Sequence, residues 1–225
     1  MTSRPSAFKR EDPFLPSLVS AAAWQTIRPL GQPLDLRYGD VVSPKDSLLI
    51  ERGAVATFLD ADGRPTCVGL MTAGEFVGLN PAISAQPSNL RTVAVADGAG
   101  LLFPRHVLRR EWETSAFFRE AVTLRAHLAL NAARLWVLCQ ERHSSRQRLA
   151  ALLLWLSEHD DRVTLFQETA GAVLNLRRTT VAAAASHLRG AGALIWRRGG
   201  VRILDRFALE RLACACSHRH SSAAH

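Results

Sequence analysis

The 225-residue chain lacks a membrane-spanning segment: its longest unbroken apolar run, residues 149–156, falls far short of the ~18–20 residues a spanning helix needs. The first 18 residues carry Arg4, Lys9, Arg10, Glu11 and Asp12 and no apolar stretch, so neither a signal peptide nor an anchor is expected. Cysteine is scarce. Cys67, Cys139, Cys214 and Cys216 are too few and too scattered for a disulfide framework, and a reducing, cytoplasmic setting is expected. Only 21% of residues are charged against 48% hydrophobic, which excludes global disorder. No nucleophile–base set, paired acid–base carboxylates or glycine-rich phosphate loop stands out, so no enzyme activity is expected. What remains is a folded protein of one large or two small domains.

The net charge of +8 is unevenly spread. Residues 1–105 carry ten basic and ten acidic side chains, residues 106–143 six and four, and residues 144–225 twelve and six. A basic C-terminal third on a neutral body suggests a polyanionic partner, nucleic acid ahead of an anionic membrane.

Residues 30–104 read as β structure, with short Val-, Leu- and Phe-rich runs punctuated by turn signals such as Tyr38-Gly39-Asp40, Asp62-Gly63 and Asp97-Gly98. The clearest hairpin joins residues 54–59 to 66–71, and residues 81–89 read as a loop or short helix between strands. From about Thr114 to Arg142 there is neither glycine nor proline, and a single long helix is expected. Two apolar seams run along it, Ala121, Leu124, Leu128, Leu135 and Leu138 on one side and Phe118, Val122, Ala129, Ala132, Trp136 and Cys139 on the other. One seam can cover the β domain and the other can meet a second copy in a coiled coil. Ser144 to Gln147 fits a capping box that starts a new helix, which places a domain boundary near residues 143–145. Three regions follow: 1–105, a β sensor; 106–143, a dimerisation helix; and 144–225, a DNA-binding domain.

The last region carries the most specific pattern. Thr164 can cap a short helix ending at Leu174, and Asn175 tolerates the left-handed conformation of a tight turn. A second helix follows, with Val181, Ala185 and Leu188 facing inward. Helix, turn, helix is the arrangement that inserts its second helix into the DNA major groove. Arg177 and Arg178 at that helix's start suit a guanine or phosphate contact, with Arg178 reading the base and Thr179 and Thr180 in support. Ala182, Ala183 and Ser186, with Thr179, form a small face that lets the helix sit deep. Residues 194–204 read as strand, basic glycine turn and strand, a wing whose Arg197, Arg198 and Arg202 can hold phosphates.

These stretches resemble the Crp/Fnr family of transcriptional regulators, and the resemblance covers nearly the whole chain. It rests on Arg146-Gln147-Arg148-Leu149-Ala150, Leu176-Arg177-Arg178-Thr179-Thr180-Val181, Gly192-Ala193-Leu194-Ile195, and Val201-Arg202-Ile203-Leu204-Asp205-Arg206 followed by Leu209-Glu210 and Ala213-Cys214-Ala215-Cys216. In the N-terminal part it rests on Gly39, Gly53, Asp62-Gly63, Gly74-Glu75-Phe76-Val77-Gly78 and Arg91-Thr92. The resemblance implies an α+β fold: an N-terminal antiparallel β-roll like a cyclic-nucleotide-binding jelly roll, a long dimerisation helix and a C-terminal winged helix-turn-helix. It implies a homodimer on a palindromic stretch of double-stranded DNA, with RNA polymerase as a further partner. Phe166 stands where the family commonly has threonine, Ala170-Gly171 where it has Leu-Ala, and Ala183 where some members place a second base-reading arginine.

In cyclic-nucleotide-binding relatives the equivalent cassette holds a phosphate through glycine N–H groups and an Arg-Ser/Thr pair. Gly74, Glu75, Gly78, Arg91 and Thr92 could cradle an anion here, but Leu79 replaces the glutamate that holds the ribose. Cyclic AMP is therefore not the expected effector, and another small molecule or none is; Arg91 could instead pair with Glu75. An iron–sulfur cluster is not expected with Cys67 alone in the N-terminal domain. Cys214, Cys216, His218 and His220 offer zinc-type ligands, but the resemblance already accounts for the Cys-x-Cys pair. The rivals to a DNA-binding regulator are a ligand-binding module acting through a protein partner and a metal or thiol sensor built on that tract.

Overall fold

Two long, mostly apolar runs organise the N-terminal half. In the computed structural model, which describes residues 25–43, 46–61, 63–79, 89–157 and 160–216, they form β3 (Ser47–Ala61) and β6 (Leu90–Phe103), paired antiparallel along most of their length. β1 (Gln32–Leu36) and β2 (Val41–Val42) add to β6, while β4 (Arg64–Thr72) and β5 (Phe76–Val77) add to β3. Every pairing is antiparallel. The β3–β4 hairpin falls where alternation and the Asp62-Gly63 signal place it, although Asp62 lies outside the described residues. So do residues 80–88, most of the segment read as an interrupting loop, and residues 1–24.

After Pro104 the chain turns helical, but not as one helix. α1 (Arg105–Thr114) ends and α2 (Ala116–Arg142) begins around Ser115, whose extended backbone lets its Oγ accept from the Phe118 N–H at 3.1 Å. A serine cap thus starts the long helix expected from about Thr114 to Arg142 and separates it from α1. Phe118, Ala121 and Val122 pack with Phe103 and Leu108 against the sheet. Farther along, Trp136 is buried, whereas Leu130, Val137 and Leu138 are exposed.

α3 (Ser145–Leu156) opens with the capping box expected from Ser144 and Gln147: the Gln147 N–H donates to Ser144 Oγ at 3.4 Å, and the Ser144 N–H donates to Gln147 Oε1 at 3.1 Å. Ser144→Ala removes an acceptor from the first turn and is expected to cost about 1 kcal/mol in urea denaturation, against almost none for Ser144→Gly. Leu149, Leu152 and Leu153 of α3 are buried among α4 (Gln167–Leu174), α5 (Arg178–Gly190) and α6 (Arg206–Leu212). β8 (Leu194–Arg197) and β9 (Gly200–Ile203) form the wing hairpin, and a third strand, β7 (Arg162–Val163), flanks β9.

The two halves share a core. Ala54, Ala56, Phe58, Cys67, Leu70 and Val95 of the sheet belong to the same buried cluster as Trp136, Leu153 and Leu174. Among the described residues no helix is long and apolar enough to cross a membrane.

Candidate nucleic-acid interface and sensor turn

The turn between α4 and α5 is built by three local features. Asn175 adopts the left-handed conformation (φ 52°, ψ 44°), as its residue type leads one to expect. The Leu176 N–H then donates back to the Gly171 carbonyl at 2.8 Å, closing the helix end. Gly171 permits this approach, since a Cβ there would lie 2.8 Å from the Leu176 carbonyl oxygen. Gly171 thus serves turn closure. The expected Thr164 cap is not formed: Phe166 occupies the N-cap of α4 with no side-chain hydrogen bond, and its ring instead packs on Tyr38, centroids 5.1 Å apart.

α5 divides cleanly into two faces. Val181, Ala184, Ala185 and Leu188 are buried against the domain, so the opposite face is presented outward. On it lie Arg178, Thr179, Ala183 and Ser186, exposed, with Thr180 and Ala182 half-buried; Arg177 is the N-cap residue and is also exposed. The small residues leave no bulk between the helix backbone and whatever it meets. Arg197, Arg198 and Arg202 are exposed on the wing.

Sequence reasoning missed Arg162. β7 is two residues long and carries no strand signal of its own, yet its register sets Arg162 directly opposite Arg202 of β9. Both side chains are exposed, while Val163 and Val201 beside them point inward. Like charges opposite each other on one strand face repel, and an anion bridging them would relieve this. Arg146 was also outside the predicted set; its guanidinium lies 3.3 Å from the His187 ring of α5.

In the sheet domain, Gly74 and Gly78 both adopt positive φ (92° and 77°) around Glu75. Glu75 accepts from the Thr72 N–H at 2.7 Å, and Arg125 of α2 donates to the Gly74 carbonyl at 2.7 Å. The expected Arg91–Glu75 pair is not formed. Arg91 instead sits over the Phe58 ring, 5.6 Å from its centroid, because β6 pairs these two residues directly. Thr92 is buried with its hydroxyl 3.4 Å from that of Thr57. Leu79 packs on the cluster containing Leu49, Phe103 and Phe118.

Burial pushes the Glu75 carboxyl up to about 7, against the pull of the Thr72 N–H and the Arg125 guanidinium. The folded chain therefore keeps a proton that the unfolded chain releases above about pH 4.5. Stability is fully present below that pH, falls as pH rises to about 7 and levels off beyond. Glu75→Gln is expected to flatten this slope and to raise stability at alkaline pH by roughly 1–3 kcal/mol, read from urea denaturation on either side of the window.

The cysteines are not scattered in space. Cys139 from the last turn of α2 meets Cys214 and Cys216, which follow α6. Donation from the Cys139 thiol, 3.6 Å away, makes Cys214 easier to ionise than an ordinary thiol and keeps Cys139 protonated. Among the described residues a third thiol, Cys139, joins Cys214 and Cys216, while His218 and His220 lie outside the described residues. Cys67 is remote in role; burial pushes its thiol up to about 12.

Residues 147–212 match the family model of a Crp-like helix-turn-helix domain. A protein of Rhizobium leguminosarum bv. viciae described as a "probable transcriptional activator" is 33% identical over 98 residues. That match covers 44% of this chain and 40% of the relative, so the chain spans well under half of that relative's length. Among solved structures, FixK2 from Bradyrhizobium japonicum is 20% identical with a TM-score of 0.65, covering 82% of this chain and 98% of the other. A Crp/Fnr-family transcriptional regulator from Thermus thermophilus is 20% identical with a TM-score of 0.64, covering 81% and 98%. At these identities the structures establish the fold, an antiparallel sheet domain joined to a helix-turn-helix.

Proposed function

We propose that this chain, a member of the Crp/Fnr family of transcriptional regulators, binds double-stranded DNA sequence-specifically as a homodimer on a two-fold-symmetric site. The observation that carries the reading is the outward side of α5, with Arg178 exposed at its first position and the small residues Thr179, Ala182, Ala183 and Ser186 following it. That face suits entry into the major groove, where a guanidinium can bond guanine O6 and N7 together and small side chains can touch thymine methyls. Arg177 and the wing residues Arg197, Arg198 and Arg202, joined by Arg162, hold phosphates and set the register. With one arginine on the reading face, part of the preference comes from DNA shape.

Dimerisation uses α2. Leu124, Leu128 and Leu135 are only half-buried in the single chain and Leu138 is exposed, spaced by alternating fours and threes around Asn131. A second copy covers this seam. RNA polymerase is the further partner at the promoter, and the setting is the cytoplasm. The chain acts by binding and not by catalysis.

The β-roll senses. Gly74, Glu75 and Gly78 form the candidate effector turn, with Arg91 and Thr92 of β6 set farther along the sheet opposite Phe58 and Thr57 of β3, and the effector is not cyclic AMP: Leu79 offers no acceptor to a ribose hydroxyl and is engaged in packing. Arg125 ties the Gly74 turn to α2, so an anion at the turn would act on the dimer helix directly.

Fluorescence anisotropy of the full chain on genomic duplex fragments at two salt concentrations tests this reading. A subset of fragments should bind about 10³-fold or more above random duplex, with affinity falling steeply with salt. Uniform affinity for all fragments would refute sequence-specific recognition and favour a signalling module acting through a protein partner.

A further inference from the structure

We propose that Cys139, Cys214 and Cys216 form a binding site for a thiophilic divalent d10 metal ion of the zinc type, with three thiolates as the protein ligands. The three Sγ atoms lie within 4.8 Å of one another, and the Cys139–Cys214 pair is 3.6 Å apart. An ion with metal–sulfur bonds of about 2.3 Å sets its tetrahedral thiolate sulfurs about 3.8 Å apart, so the triangle closes on a metal with small side-chain adjustments. A disulfide would use two of these sulfurs and leave the third idle. A metal uses all three.

The surroundings fit the charge of such a complex. Three thiolates around a divalent ion carry one net negative charge, which is costly to bury without a cation nearby. Arg148 supplies it. Only 8% exposed, it lines the same small cavity as Cys139 and Cys216, beside Trp136, Ala151 and Trp155. Its Nη2 donates to the Gln140 side chain and the Leu174 carbonyl and its Nη1 to the Gln140 carbonyl, while its Nε is buried without a hydrogen-bond partner among the described residues. Apart from Gln140 the rest of the cavity wall is apolar, with Trp136 and Trp155 stacked, ring centroids 6.3 Å apart. The three ligands also come from both sides of a boundary. Cys139 ends the helix that carries the sensor, and Cys214 and Cys216 end the winged domain. Metal binding therefore pins the DNA-reading domain to α2.

Titration of the reduced full-length chain with Cd2+, followed by sulfur-to-cadmium charge-transfer absorption, tests the site. The band should saturate at one equivalent per chain and be abolished by competing Zn2+. It should weaken in each of Cys139→Ser, Cys214→Ser and Cys216→Ser, with metal affinity falling at least as far as the roughly 10- to 100-fold lost with an outer-shell partner. Cys67→Ser should leave it unchanged, and circular dichroism of each variant checks that it folds. As a readout independent of variants, Zn2+ should raise the Tm of the unsubstituted chain in proportion to the logarithm of its concentration. Absence of a saturating band, or a band that persists at full strength in Cys139→Ser, would overturn the three-thiolate site. Because the measurement uses no DNA, it stands or falls apart from the reading of α5.

Discussion

Arg178→Ala is expected to weaken binding to a preferred duplex by about 10- to 100-fold, equivalent to about 1–3 kcal/mol, while random duplex is affected far less. The side chain is exposed at the first position of α5, and its removal disturbs no packing, because the buried face of that helix is Val181, Ala184, Ala185 and Leu188. The loss should therefore appear in DNA binding and not in stability. Arg202→Ala is the contrast. It faces Arg162 across the β7–β9 ladder, and its removal relieves a like-charge pair in the unbound protein. Its effect should be similar on every duplex and should lower the salt slope by about 1. Anisotropy titrations of the two variants on one preferred and one scrambled duplex separate the roles. Equal losses on both duplexes for Arg178→Ala would remove it as the base reader.

What could be read in the sequence was local. The Ser144–Gln147 capping box, the left-handed Asn175 and the inward face of α5 depend on residues a few positions apart, and each forms as its chemistry dictates. The β3–β4 hairpin is likewise a property of one alternating segment. What escaped depends on the long-range path of the chain. Cys139 and Cys214 are 75 residues apart, and only the return of the tail onto the end of α2 brings them together. Arg162 joins the wing through a two-residue strand too short to show alternation. Arg91 follows the register of β6 against β3, which places it on Phe58 and not on Glu75. The long helix expected from about Thr114 to Arg142, by contrast, is local: it forms as Ala116–Arg142, and the Ser115 cap at its start separates it from α1.

Asn175 carries the second large effect, because it belongs to both halves of the molecule. Its backbone makes the turn of the helix-turn-helix, and its side chain reaches β4, the last strand on its side of the sheet. The Cys67 N–H donates to Asn175 Oδ1 at 3.0 Å, and Asn175 Nδ2 donates to the Cys67 carbonyl at 2.9 Å. One amide side chain thus pairs with the sheet edge as a neighbouring strand would. Tyr38 adds a second tie, hydrogen-bonded to Thr169 of α4. Asn175→Ala loses both hydrogen bonds and forces a Cβ-bearing residue without a local polar partner into the left-handed region, a combined cost of about 2–4 kcal/mol. Asn175→Gly loses the same hydrogen bonds without that strain and should cost about 1–2 kcal/mol. Denaturant unfolding measures the difference between the variants, which isolates the turn from the contact. In Asn175→Gly, hydrogen exchange at the Cys67 amide should accelerate while the turn persists, since β4 has lost its partner from the reading domain. If the two variants are equally stable, the left-handed turn is not under the constraint its geometry indicates. If Cys67 exchange is unchanged in Asn175→Gly, the side-chain pairing does not couple the sheet to the reader. A positive result on both counts would make β4 the element through which a change in the β-roll reaches the position of α5.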